Sequence, residues 1–334
     1  KVLKLALMTL NTGRLTLPAA SAGIGKWCLN VARIWSTKRE QWGSKIGDHE
    51  AVALKIGYIA SHTFAVDAVT WLCSAMADDH KRDIRIEAAI AKLFCTEVSW
   101  KICDDTLQIR GGSGYEIASS LAKRGVDYWP IERVLRDIRI NRIIEGTTDI
   151  MHLFIAREAL DKHLSLVKPL LSGKTPLPVK LSAAVKLLGF YATWYPKMWM
   201  PTFAGSEITS LPPALAEHMM FVQDASKRLA RYTFHKMSKY QQKLESKQSI
   251  LNRVVDIGTD LFAISCTCSY AAMLAKKEGQ GNAIDLADAF CLDARRRITN
   301  LFDEGNSNHD QKHLNIAKKV LAKEFEWMEN EIIK

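Results

Sequence analysis

The sequence predicts an all-α protein built as two helical bundles, and three observations carry that prediction. Prolines fall at 18, 130, 169, 176, 178, 196, 201, 212 and 213, which leaves residues 19–129, 131–168 and 214–334 free to form long helices and predicts interruptions elsewhere. Within those windows apolar and small residues return with a period of about 3.6, as in Ala51, Leu54, Tyr58, Ser61 and Ala65, or Leu261, Ile264, Ser265 and Cys268. Alternating patterns bounded by turn residues, the mark of strands, are nearly absent.

Composition frames what such a fold can do. With 334 residues, 48% of them hydrophobic and 25% charged, the chain has the make-up of a globular protein with mass for one or two sizeable cores. Cysteines 28, 73, 95, 103, 266, 268 and 291 form no paired framework, and Cys266-Thr-Cys268 has neither zinc nor redox spacing. Reduced thiols, no metal site and an intracellular or organellar compartment are the expectation. A net charge of +10 suits an anionic partner but does not choose among nucleic acid, a membrane surface and a phosphate-bearing substrate. No uninterrupted apolar stretch approaches the roughly 20 residues of a membrane span, and no secretory n-region and h-region opens the chain.

The elements follow in order. The first 35 residues carry an amphipathic pattern through Val2, Leu3, Leu5, Ala6 and Leu10 that begins mid-pattern without an initiator Met, so the chain is expected to be part of something longer. Residues 36–60 place Arg39, Gln41, Trp42 and Gly43 in a loop between two helices, where a guanidinium fork can clamp a pyrophosphate or simply face solvent. "LQIRGGSGYE", 107–116, closes a helical run with glycines that permit positive φ and close approach of a ligand; as an isolated turn it would serve a helix-to-helix connection equally well. No strand precedes it, so it is not a dinucleotide fingerprint.

Residues 133–160, "RVLRDIRINRIIEGTTDIMHLFIAREAL", set one carboxylate, Glu145, between two helices. Ile143 and Ile144 offer an apolar flank that raises its proton affinity, as a general base for a weak carbon acid requires. Gly146 lets a substrate pass close by, and Thr147 or Thr148 caps a helix with Asp149 in its first turn. The competing reading is a capping motif in which Glu145 pairs with Arg139 or Arg142. Residues 165–213 hold seven of the prolines and read as a joint between bundles. Across 163–206 five lysines occur without an acid, interleaved with Phe190, Tyr191, Trp194, Tyr195, Trp199 and Phe203. These aromatics either pack back on the bundles or lie in a membrane interface. The third division, 214–334, is again helical.

Four motifs in one order resemble the C-terminal helical domain of the acyl-CoA dehydrogenases: "TLNTGR" at 9–14, "KREQWG" at 38–43, "QIRGGSGY" at 108–115 and "PIERVLRDIRINRIIEGTTDI" at 130–150. The resemblance covers residues 1 to about 164, and the chain from 165 onward resembles the extra helical domain of the very-long-chain enzymes and their bacterial relatives. It implies domains at 1–164 and 214–334 about a basic aromatic segment. It implies α,β-dehydrogenation of a fatty acyl-CoA to the trans-2-enoyl-CoA, with Glu145 as base and hydride transfer to FAD. Substrate contacts would come from Asn11, Thr12, Gly13, Arg14 and Gly146. FAD contacts would come from Arg39, Glu40, Gln41 and His49, from Gln108, Ile109, Arg110, Gly111 and Gly112, and from Thr147, Thr148 and Asp149, in part across a subunit interface.

Also implied are a homodimer, an electron-transfer flavoprotein as acceptor, no nucleic acid, and a bacterial cytoplasm or mitochondrial matrix with peripheral membrane contact through 163–206. The alternative is a non-enzymatic helical scaffold that binds nucleic acid or membrane. Departures from the family pattern are Trp42 where phenylalanine is usual, Glu50 where glutamine is common, the insertion at 116–129, and the lack of the N-terminal and β domains that would complete the pockets.

Overall fold

The computed structural model describes residues 2–79, 83–171, 175–277 and 279–330, with side chains of the first helix described from Gly13 onward. Helix α1 (Val2–Lys38) leads into a hairpin of β1 (Glu40–Gln41) and β2 (Ser44–Lys45). Then come α2 (Glu50–Asp78), α3 (Arg85–Arg110), short α4 (Gly112–Tyr115) and α5 (Ala118–Lys123), α6 (Ile131–Arg139) and α7 (Thr148–Leu171). The rest is α8 (Leu177–Lys197), α9 (Ser206–Thr209), α10 (Pro213–Tyr240), α11 (Gln248–Leu274), α12 (Ala283–Asn306) and α13 (Asp310–Leu321). The hairpin, Glu40 opposite Lys45 and Gln41 opposite Ser44, is the one sheet among the described residues. Its turn, Trp42–Gly43, has φ of 52° and 83°, the positive pair that a two-residue hairpin turn requires.

The all-α prediction holds, but proline did not interrupt helices as expected. Pro18 lies inside α1, Pro169 inside α7 and Pro196 inside α8. A proline costs a helix about 3 kcal/mol through one lost hydrogen bond and a clash. The long contact of α1 with α2 and α3 offsets that cost, and the other two prolines sit within a turn of their helix ends. The joint at 165–213 is therefore mostly helix. α8 packs along α7 and reaches α10: His163 Nδ1 lies 2.9 Å from the Tyr191 hydroxyl, the Tyr195 hydroxyl lies 2.8 Å from His235 Nε2, and both tyrosines touch Phe234. One face of α8 stays bare, with Leu177, Leu181, Val185 and Leu188 exposed at helical spacing.

The two halves share a core. Ala65, Val66 and Val69 of α2 and Phe94 and Cys95 of α3 pack in one cluster with Ile257, Leu261 and Ile264 of α11 and Phe290, Ile298 and Phe302 of α12. Arg297 of α12 binds Asp260 through two hydrogen bonds of 2.8 and 3.1 Å and donates to His62 Nε2 at 3.4 Å. Burial and the Arg297 charge push His62 down to about 3, so its ring is neutral. By length and composition α2 and α11 are apolar enough to cross a membrane, with mean hydropathy 1.2 and 1.3, although charged residues such as Asp67 and Asp260 interrupt both, as expected. They are apolar on several sides because helices surround them. The face predicted for α2 is right at Ser61 and Ala65 and wrong at its start, where Ala51 and Leu54 are exposed.

Candidate functional site

The loop from α6 to α7 turns through an unusual backbone conformation. After a single 3-10 turn, Ile140–Arg142, the backbone enters the left-handed region twice in succession, at Glu145 (φ 57°) and Gly146 (φ 108°). Glycine takes that conformation freely; a glutamate there costs of order 1 kcal/mol or more, and such residues concentrate at functional sites. Thr147 Oγ1 then accepts from the Ile150 amide at 3.3 Å, so Thr147 is the cap and Asp149 lies in the first turn of α7.

Both arginines that could have paired with Glu145 are occupied elsewhere. Arg142 pairs with Glu97 of α3 at 2.7–2.8 Å, Thr148 Oγ1 donates to the same carboxylate at 2.5 Å, and Arg139 lies over Trp100. The Glu145 side chain lies against Gly13 of α1: a methyl group on Gly13 would stand 2.8 Å from its carboxyl carbon. Among the described residues, one carboxylate oxygen, Oε2, is buried with no hydrogen-bond partner, as is Nε of the neighbouring Arg14. Arg14 is buried with its guanidinium 4.6 Å from the Phe154 ring; burial lowers its proton affinity and the Glu145 charge raises it. Ile143 and Ile144, the expected apolar flank, are 46% and 42% exposed.

Sequence reasoning missed the groups that brace this loop. Lys92 of α3 is fully buried and donates from Nζ to the Gly146 carbonyl at 2.6 Å. Burial brings it down to about 8, with the Glu97 and Glu145 carboxylates opposing and Arg14 and Arg142 assisting. The available signal was its place in "AAIAKLF", four residues from both Ala88 and Thr96 on a buried helix face.

The other predicted residues gather elsewhere. Arg39, Glu40 and Gln41 lie on the hairpin, all exposed, with Trp42 91% exposed and His49 Nε2 3.1 Å from the Gln41 carbonyl. Gln108, Gly111 and Gly112 line the exposed turn after α3, where a methyl group added at Gly111 (φ 59°) would meet nothing within 4 Å. Ile109 and Arg110 do not belong on that surface. Ile109 is core, and Arg110 turns inward between Trp35 and Trp129, 4.1 and 4.9 Å from the rings, donating to the Asp127 carbonyl at 2.7 Å. That contact also docks the 116–129 insertion, whose Asp127 reaches Lys38 at 3.4 Å.

Hairpin and glycine turn thus share one end of the bundle. Glu145, Gly13, Arg14, Gly146, Thr147 and Thr148 lie toward the other end of α1, on the order of 35 Å away at 1.5 Å per helical residue. Asn11 and Thr12 are in α1, their side chains outside the described residues. An exposed arginine, an open indole and a bare glycine backbone suit a dinucleotide; an unpaired buried carboxylate oxygen suits a substrate proton.

Comparison with known proteins gives a consistent result. Residues 3–160 match the acyl-CoA dehydrogenase C-terminal domain, and residues 213–325 match the ACAD9/ACADV C-terminal domain. The chain is 47% identical over 336 residues to the probable acyl-CoA dehydrogenase FadE10 of Mycobacterium tuberculosis, covering 99% of this chain and 51% of that protein. It is 31% identical to the mitochondrial very long-chain specific acyl-CoA dehydrogenase of Rattus norvegicus, covering 93% of this chain and 46% of the relative. It therefore spans about half the length of the curated relatives it matches. An acyl-CoA dehydrogenase from Bacillus anthracis, complexed with FAD, shares the fold at a TM-score of 0.65 and 22% identity over 92% of this chain and 51% of that one.

Proposed function

Since the chain belongs to the acyl-CoA dehydrogenase family, we propose that it is the part of a flavin-dependent acyl-CoA dehydrogenase that supplies the base, Glu145, for α,β-dehydrogenation of a fatty acyl thioester. The observation that carries this reading is the Glu145 carboxylate: held in a left-handed turn against Gly13, with one buried oxygen that has no hydrogen-bond partner among the described residues. A carboxylate so placed takes the α-proton of a thioester onto that oxygen, and Gly146 keeps the approach free of a side chain. When bound, flavin accepts the β-hydrogen with its electron pair, which leaves the carbon–carbon double bond. Arg14, beside the carboxylate, supplies positive charge at the reacting end, and Gly13 and Arg14 with Asn11 and Thr12 border the CoA side.

FAD would be held by Arg39, Glu40, Gln41 and His49, by Gln108, Gly111 and Gly112, and by Thr147, Thr148 and Asp149, with Ile109 and Arg110 shaping the glycine turn from within. Because the first two groups lie far from Glu145 along α1, one bound dinucleotide would use the base end of one copy and the hairpin end of another. This supports a homodimer with FAD at the interface; an electron-transfer flavoprotein as acceptor is what the family resemblance implies. We read 1–164 as the unit carrying these residues, 214–334 as an added bundle and 165–213 as the helical bracket between them. The bare stripe of α8 with Lys180, Lys186 and Lys197 supports peripheral membrane contact in a cytoplasmic or matrix setting.

The test is optical. The native protein carrying this chain should be yellow and bleach with a fatty acyl-CoA, whereas Glu145→Gln should keep its flavin and lose about 10²- to 10⁴-fold in reduction rate. A colourless protein that binds nucleic acid or vesicles without turnover would favour the scaffold alternative, and a Glu145→Gln variant reduced at the wild-type rate would remove the base assignment.

A further inference from the structure

Lys92 is a buried charge with an unusual position. It stands in the middle of α3 on a face of small residues, Ala88, Ala89, Thr96 and Ser99, all of them buried. An apolar side chain of similar length would fill that space without the cost of desolvating an ammonium. Its hydrogen bond goes to the carbonyl of Gly146, the residue that follows Glu145 and completes the left-handed pair. We propose that Lys92 is a positioning residue for Glu145: its hydrogen bond to the Gly146 carbonyl holds the Glu145–Gly146 turn and so aims the carboxylate.

The inference rests on the reading of Glu145 as base and goes beyond it by naming what aims the base. Four ionisable groups weigh on the ammonium: Glu97 from its own helix, Arg14 from α1, Arg142 from the turn before the base, and Glu145 itself. Glu97 is engaged by Arg142 and Thr148, which fastens the loop at its two flanks while Lys92 fastens the middle. Thr148 begins α7, so a single helix, α3, grips the loop before, at and after the base. Burial brings Lys92 to about 8, so its charge, and with it the strength of the grip, changes within the alkaline range.

The experiment uses the native flavoprotein with Lys92→Met, Lys92→Arg and Glu145→Gln, following flavin reduction by a long-chain acyl-CoA across the neutral and alkaline range. Lys92→Met should slow reduction about tenfold or more, with substrate affinity changed far less. Lys92→Arg, which keeps a charged donor, should restore most of the rate. If Glu145→Gln is inactive while Lys92→Met keeps the wild-type rate, the inference fails and the base reading stands. If wild type is not reduced, or Glu145→Gln matches it, the base reading fails and the inference with it. Should Lys92→Met not fold, Lys92→Arg and Lys92→Gln decide: a rate lost in Gln but not in Arg supports the role of the charged donor, and equal rates overturn it.

Discussion

At the scale of single residues, the site depends on what Gly13 lacks. Any side chain there would meet the Glu145 carboxylate at 2.8 Å. The neighbour in question is the far end of a flexible side chain, so Gly13→Ala should be tolerated by the fold, with a stability loss of about 1 kcal/mol at most. The carboxylate must move instead, and a misplacement approaching 1 Å can cost a reaction about 10²-fold. Melting temperature and flavin-reduction rate measured together check this; a Gly13→Ala variant with normal rate would show that the observed seat of Glu145 is not its working position. Residue by residue, the sequence disclosed the acid and its cap because both are written within a few positions, as in "IIEGTTD". It did not disclose Lys92 or Glu97, because a lysine in an apolar helix reads equally as solvent-facing until the helix is packed. It misled at Ile109 and Arg110, since a motif marks where a loop lies and leaves open which of its side chains turn inward.

At the scale of elements, α7 joins the base to the added bundle. His152, one turn into α7, has Nδ1 2.8 Å from the Thr148 carbonyl and Nε2 2.7 Å from Asp256 of α11. Burial alone would lower its proton affinity, but the hydrogen bond and charge of Asp256, with the Thr148 carbonyl and Asp149, leave it raised. A raised value in the folded state means the contact stabilises fully below the unfolded histidine value of about 6.5 and is lost as pH climbs through the folded one. Asp256→Asn should thus cost about 1 kcal/mol in mildly acidic solution, limited because the Asp256 side chain is 42% exposed. The cost should fade in alkaline solution; urea midpoints at two pH values test it, and a pH-independent difference would rule out the charged pair. For α8, the expectation is salt-sensitive binding to anionic vesicles that weakens in Lys186→Glu with Lys197→Glu; indifference to lipid charge would return the helix to a packing role. Helix positions were legible from period. Pro18, Pro169 and Pro196 were misread because tertiary contact can outweigh a local penalty that no local pattern reveals.

At the scale of the whole molecule, the order of construction matters. The face of α2 and α3 formed by Val66, Val69 and Phe94 finds its cover in Ile264, Phe290 and Phe302, and the contact of His62 with Arg297 spans 235 positions of chain. A growing polypeptide releases the first bundle long before that cover exists. Through the synthesis of some two hundred residues this face stays open to water and to other nascent chains, a state in which apolar surface aggregates. Contacts so distant in sequence also close slowly, since the loop must be gathered before it is rewarded. The helices α2 and α3 can form early and locally, but their packing is completed only when the residues near 302 have left the ribosome, so α12 decides when the core of α2 and α3 is finished.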